Sequence, residues 1–244
     1  MKLKVINSGS IGNCYVLENE NETLLIECGV SIKEIKEAIN FDVGKVVGCI
    51  VTHEHGDHHK SLKEVISLGI ETRALIDVYK NKGIFPLTKQ VISEGVVFYL
   101  GGFKIMGFKV SHNVPCLGFL IEHPGCGRTI FITDTSHVEY TFPALNNIII
   151  EANFCHDIIK QKYGNHNNKE FLKNRIFKDH FSLRDCKEML LANDLRKVQN
   201  IVLIHLSDSN SDEERFKKEV HELTGKNTVC ASKGLIIDFN KDLF

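Results

Sequence analysis

The sequence has almost no net charge: 30 Lys and Arg stand against 31 Asp and Glu, a formal −1 with His neutral. That balance excludes a bulk electrostatic footprint for nucleic acid or a membrane surface and leaves any polyanion contact to a local patch. No apolar run approaches the roughly 20 residues needed to span a bilayer. The opening Met1-Lys2-Leu3-Lys4-Val5-Ile6 is strand-like and too short for a signal segment. Eight cysteines occur without one Cys-x-x-Cys pair. Cys14, Cys28, Cys49, Cys116, Cys155 and Cys230 sit in or beside apolar runs, so reduced, mostly buried thiols of a cytoplasmic protein are expected. Phosphate-binding Gly-x-x-x-x-Gly-Lys-Ser/Thr and dinucleotide fingerprints are missing, as are linkers, repeats and low-complexity tracts. What remains is ordinary globular composition, 43% hydrophobic and 25% charged over 244 residues, enough for a sizeable core.

One stretch is far from ordinary. Thr52-His53-Glu54-His55-Gly56-Asp57-His58 places three imidazoles and a carboxylate within six residues, directly after the apolar run Val46–Val51. A strand ending in a loop so dense in nitrogen and oxygen donors reads as a site for zinc, manganese or iron.

The rest of the pattern repeats that placement. Short β-type runs at Lys2–Asn7, Cys14–Glu18 and Thr23–Glu27 precede a helix from Ser31 to about Asn40, with Ser31 and Glu34 forming a capping box. A helix at Ser61–Leu68 follows the His motif, and short strands with Gly turns are expected from Thr72 to Phe108. Strands at Phe103–Val110, Thr129–Thr133, Asn147–Ala152 and Asn200–Ile204 each lead to a potential ligand: His112, Asp134, Glu151 and His205. Further helices are expected at Ser182–Asn193 and Asp212–Leu223. Two strand-rich halves, each with helices, suggest two sheets packed face to face with helices outside. Strand ends at one sheet edge converge, so these distant residues can build one site. Taken singly, His112, Asp134 and His205 can each be an ordinary strand-end residue.

With the His motif, lone His112, Thr133-Asp134-Thr135 and His205, the chain resembles the metallo-β-lactamase superfamily over nearly its whole length. Ser8-Gly9-Ser10-x-Gly12-Asn13-Cys14, Leu25-Ile26-Glu27-Cys28-Gly29 and His205-Leu206-Ser207-Asp208-Ser209-Asn210 resemble its YycJ (WalJ)-type metallohydrolases. One departure is Glu27, where the superfamily usually has Asp. The resemblance implies an α/β fold, a four-layer αββα sandwich, in one domain over residues 1–244. It also implies two divalent ions, zinc or manganese: one held by His53, His55 and His112, the other by Asp57, His58 and His205, with Asp134 bridging.

Glu151-Ala152-Asn153-Phe154 and His180-Phe181-Ser182 look like the phosphodiesterase and nuclease branches, including tRNase Z, where a His at this place serves the scissile phosphate or the leaving oxygen. Catalytic roles are thus expected for Asp57, which positions a metal-bridging hydroxide, for His180, and for Glu151, which orients His180. Ser182 would cap a helix whose N-terminus favours anions. The polar segment from Asp157 to Asp179, with Lys160, Lys162, Lys169, Lys173, Arg175 and Lys178, is either a nucleic-acid contact or a solvated face. His59, His123, His137, His156, His166 and His221 match no motif and are expected at surfaces or turns.

The expected activity is hydrolysis of phosphodiesters, with DNA favoured over RNA as partner and single strands or ends as substrate. Only 70 residues separate Asp134 from His205, too few for the domain inserted there in RNase J. Alternatives are a small-molecule phosphodiesterase or lactonase of the same fold, a β-lactamase in which His180 has no role, and a metal-free binding module.

Overall fold

A computed structural model of the chain describes residues 1–164 and 170–242. The first sheet holds β1 (Lys2–Asn7), β2 (Cys14–Glu18), β3 (Thr23–Ile26), β4 (Val46–Val51), β5 (Thr72–Ala74) and the last strand, β13 (Ile236–Asp238). The second holds β6 (Val97–Leu100), β7 (Phe103–Lys109), β8 (Leu117–His123), β9 (Gly127–Ile132), β10 (Asn147–Glu151), β11 (Asn200–Ile204) and β12 (Asn227–Cys230). Their orders are β13-β1-β2-β3-β4-β5 and β12-β11-β10-β9-β8-β7-β6. Both are mixed: β3, β4 and β5 run parallel, as do β9 to β12, and the remaining pairs are antiparallel.

Alternation along the strands explains why two sheets must meet. In β3, Leu24 and Ile26 face Phe103, Phe119 and Phe131 of the other sheet, while Leu25 points the opposite way. In β11, Val202 and Ile204 join that same central core and Ile201 and Leu203 face outward. Each outer sheet face is itself apolar and is covered by helices. The first is covered by α1 (Ile32–Ala38), α3 (Leu62–Ser67) and α4 (Ile76–Asn81), through Ile35, Leu62, Val65, Val78 and Tyr79. Between α1 and α3 lies the short α2 (Gly56–His59). Over the second sheet, α7 (Leu183–Leu191) and α8 (Glu213–Thr224) bury Cys186, Leu190, Phe216 and Val220. The result is four layers, helices–sheet–sheet–helices.

Ser31 caps α1 as expected: its hydroxyl accepts from the Glu34 N–H and Glu34 accepts from the Ser31 N–H. Two stretches differ from the sequence reading. Between β5 and β6 the chain forms α4, begun at Leu75 without a polar cap, so no start signal was present. The polar segment before His180 is helical, as α5 (His156–Tyr163) and α6 (Glu170–Asp179). Lys169 and His166 lie outside the described residues. The eight cysteines are free thiols, all buried except the half-buried Cys155. No helix among the described residues is long and apolar enough to cross a membrane.

Candidate metal centre

Every strand that feeds the site ends on a turn at the same edge of the sandwich. Glu27 follows β3, the His motif follows β4, His112 follows β7, Asp134 follows β9, Glu151 ends β10 and His205 follows β11. Glu27, Asp134 and His205 turn the chain at positive φ of 64°, 48° and 54°. Non-glycine residues rarely sit there, and such local strain concentrates where side-chain aim matters.

The His motif is held from behind by backbone. Asn13 N–H donates to the Asp57 carbonyl at 2.7 Å, Cys28 N–H to the His58 carbonyl at 2.8 Å, and Gly29 N–H to the Asn13 carbonyl at 2.9 Å. Gly29 is obligatory at this crossing, since a Cβ there would lie 1.6 Å from the Asp57 carbonyl oxygen. The Asn13 side chain also donates from Nδ2 to Asp57 Oδ2 at 3.2 Å. The Ser8–Cys14 stretch is therefore a clamp on the ligand loop.

Side-chain partners fix how the imidazoles point. Thr52 Oγ1 donates to Glu27 Oε1 at 2.6 Å and so accepts from His53 Nδ1 at 2.8 Å. That leaves His53 Nε2 bare, buried and without a partner. Glu27 Oε1 is also 3.3 Å from His58 Nδ1, so this one buried carboxylate backs two histidines. Burial raises its pKa, which His58 and Thr52 only partly counter. The Asp179 carbonyl accepts from His112 Nδ1 at 3.1 Å, turning His112 Nε2 toward His55 Nδ1, 3.3 Å away. Glu151 Oε1 lies 3.1 Å from His205 Nδ1, which leaves His205 Nε2 buried and unpartnered in its turn.

These orphaned nitrogens converge with carboxylates. His53, His55 and His112 bring ligand atoms within 4.8 Å of one another, as do Asp57, His58 and His205, and as do His53, His58 and Asp134. Buried polar atoms without partners are costly unless something binds them. The donor set, imidazole with carboxylate, fits divalent cations of the zinc or manganese type. Two of these groupings have the membership that the sequence resemblance implies, and a further one draws Asp134, Glu151, His180 and His205 equally close.

The electrostatics favour a cation. Burial pushes Asp134 up, but His205, His58 and His53 outweigh it and hold the carboxyl well below its usual range. Asp57 is likewise lowered, its burial outweighed by His205 and His58. Burial would lower His58 and His205, yet Asp134 and its neighbours raise both, His205 to about 10. His53, buried and beside His58, falls well below the ordinary imidazole range. The same negative field that raises the first two histidines attracts divalent metal.

Over residues 8–144 the sequence matches the profile of the metallo-beta-lactamase superfamily, a span that takes in His53 through Asp134. The chain belongs to the metallo-beta-lactamase superfamily. Within that superfamily it is 28% identical to exodeoxyribonuclease WalJ of Streptococcus pneumoniae, covering 98% of this chain and 92% of that protein. It is 27% identical to exodeoxyribonuclease YycJ of Bacillus anthracis, covering 91% and 89%. Among solved structures, the metallo-beta-lactamase fold protein YhfI from Bacillus subtilis superposes with a TM-score of 0.69 at 15% identity, covering 97% of this chain and 98% of that one.

Glu151, His180 and His205 lie beyond the matched span, and the fold brings them beside Asp134 and Asp57. His180, just after α6, is half-buried, with Nδ1 2.8 Å from Glu151 Oε1 and 3.5 Å from Asp134 Oδ1. Its ring stacks on His205 with centroids 5.3 Å apart. Burial lowers its pKa, but Glu151 and Asp134 raise it further, and the net shift is upward. Glu151 Oε2 accepts from the Phe181 and Thr135 N–H groups at 3.0 and 3.2 Å.

Ser182 caps α7 as expected: its hydroxyl accepts from the Asp185 N–H, while Leu183 N–H bonds the Phe154 carbonyl and the Asp185 carboxylate lies in the first turn. One expectation needs correction. His59 is not at the surface: it is buried at the end of α2, where burial pushes its pKa down to about 4. Sequence reasoning also assigned no role to Asn13, Thr52 or Asp179. A signal existed for Thr52, a hydroxyl next to a ligand histidine, but the backbone role of Asp179 leaves no trace in side-chain chemistry.

Proposed function

We propose that this chain is a two-metal phosphodiesterase acting on nucleic acid, an exonuclease of DNA like the relatives it resembles over nearly their whole length. His53, His55 and His112 would hold one cation and Asp57, His58 and His205 the other, with Asp134 shared. Bound there, divalent cations supply Lewis acidity toward a phosphoryl oxygen and a hydrolytic nucleophile at neutral pH.

The observation that carries the reading is the Glu151–His180 contact of 2.8 Å beside that cluster. A carboxylate can only accept, so His180 Nδ1 donates to Glu151 and Nε2 is left to face a substrate in the cavity it lines. Glu151 and Asp134 favour the protonated form of this imidazole, the form that can give a proton to a leaving alkoxide. Glu151 then stabilises the charge and fixes the ring. Asp57, anchored by Asn13, sets the floor of the site. The likeness to exodeoxyribonucleases over nearly the whole chain favours phosphoryl over acyl chemistry for that proton donor.

The test compares hydrolysis of bis(p-nitrophenyl) phosphate with that of a p-nitrophenyl carboxylic ester and an acyl-homoserine lactone, using manganese- and zinc-loaded protein. Diester cleavage is expected, with His180→Ala costing little on bis(p-nitrophenyl) phosphate, whose p-nitrophenolate leaves without a proton, and much more on a dinucleotide run beside it. Lactone or ester hydrolysis unaffected by that substitution would overturn the reading.

A further inference from the structure

The cavity over the centre, about 400 Å³, holds an unassigned cation on its wall. Around it stand the neutral Ser10, Asn113, Asn153, Ser207 and Asn210, and Arg175 is the one Lys or Arg among the described residues that line it. Arg175 belongs to α6, one turn before Asp179, which ends that helix.

Asp179 connects the arginine to the metal site. Its carbonyl accepts from His112 Nδ1, and its carboxylate accepts from Asn113 Nδ2 at 3.1 Å. The same carboxylate oxygen lies 3.8 Å from Arg175 Nε. That separation is too long for a hydrogen bond. The arginine side chain is 69% exposed and has no other partner among the described residues. It thus stands beside the Asp179 carboxylate, largely exposed, on the wall of the cavity.

An anionic substrate is held by charged donors as well as by metal ligands. Ser207 and Asn210 border the same cavity, and their loop is held by Lys162 of α5, which donates from Nζ to the Ser209 carbonyl at 3.2 Å. Guanidinium is the side chain best matched to phosphate, because its planar fork can donate two parallel hydrogen bonds. The scissile phosphate is drawn to the ligand cluster. Arg175 stands apart from that cluster, with Asp179 between it and His112.

We propose that Arg175 binds a second, non-scissile phosphate of the substrate strand. This rests on the nucleic-acid reading above and names the residue that grips the strand away from the scissile bond. In this role Asp179 is a positioning residue: it sets the arginine on one side and His112 on the other.

The experiment uses the full chain with manganese, as wild type, Arg175→Ala and Arg175→Lys. Substrates are an end-labelled single-stranded oligonucleotide and bis(p-nitrophenyl) phosphate. For Arg175→Ala the oligonucleotide KM should rise about tenfold or more, as expected for a lost charge-assisted contact. The ratio of oligonucleotide to small-diester kcat/KM should fall by a similar factor. Arg175→Lys, which keeps the charge and loses the fork, should recover part of it. In fluorescence anisotropy with the same oligonucleotide, the slope of log affinity against log salt should flatten by about 0.7 in Arg175→Ala. Equal losses on both substrates, or an unmoved KM and salt slope, would overturn the proposal while leaving the phosphodiesterase reading intact. Wild-type protein that hydrolyses the small diester and no oligonucleotide would overturn the nucleic-acid reading and the role of Arg175 together.

Discussion

One carboxylate oxygen, Glu151 Oε1, serves two histidines: it lies 2.8 Å from His180 Nδ1 and 3.1 Å from His205 Nδ1. The residue that orients the proposed proton donor therefore also orients a proposed metal ligand. Glu151→Gln keeps the shape and removes the charge. It should lower kcat by about 10²-fold, the low end of what a general acid contributes. The carboxylate holds the His180 pKa up, and a general acid fails as pH rises through its pKa. The alkaline limb of the rate profile should therefore move to lower pH in Glu151→Gln, which kcat measured across pH would show. Metal affinity should also fall by about ten- to a hundredfold.

Glu27 gives a second prediction, on metal affinity without contact to substrate. Its Oε1 accepts from Thr52 and approaches His58, so it orients both His53 and His58. Glu27→Gln should weaken cation binding by about ten- to a hundredfold, as loss of an outer-shell partner commonly does. Metal content after dialysis against a graded chelator series would measure this. Retention equal to wild type would show that Thr52 alone orients His53.

How far this centre could be foreseen depends on the kind of residue. His53, His55, Asp57 and His58 announce themselves because four donors crowd one loop. His112, Asp134 and His205 are single residues, legible only through the strand each terminates and through the family resemblance. The two-sheet core was legible in alternation such as Leu24-Leu25-Ile26, where successive side chains face different layers. Helix α4 was not, because Leu75 offers no capping side chain and the helix is under two turns long. The tether from Asp179 to His112 was beyond reach, since a backbone carbonyl joins residues 67 positions apart.

Gly29 supplies a packing prediction. Its backbone lies directly on the Asp57 carbonyl, and a methyl group there would force the ligand loop outward. Gly29→Ala should destabilise the protein by about 1–3 kcal/mol, the range for overpacking, and should also reduce metal retention. Urea unfolding with metal analysis on the same sample would check both. A stability loss with full metal retention would mean that the loop relaxes elsewhere.

The pair Glu34–Lys233 gives a pH dependence far from the metals. Lys233 Nζ lies 2.6 Å from Glu34 Oε1, and with Ser31 it lowers the Glu34 pKa to about 2. A carboxylate whose folded pKa lies below its unfolded value stabilises the fold at pH above the unfolded value, near 4.5. That contribution fades as pH falls toward the folded value. Glu34→Gln, which retains the cap geometry, should cost a few tenths to about 1 kcal/mol at neutral pH, as expected for a solvent-screened pair. The difference from wild type should shrink between about pH 4.5 and 2. Urea midpoints at several pH values would show it.

The most direct test of the central claim is cleavage of end-labelled DNA by manganese-loaded protein, with Asp57→Ala and His180→Ala beside wild type. The two-metal nuclease account predicts stepwise shortening from an end in wild type, abolished in Asp57→Ala and slowed by about 10²-fold or more in His180→Ala. Intact DNA in the presence of protein that demonstrably holds two metal ions would contradict it.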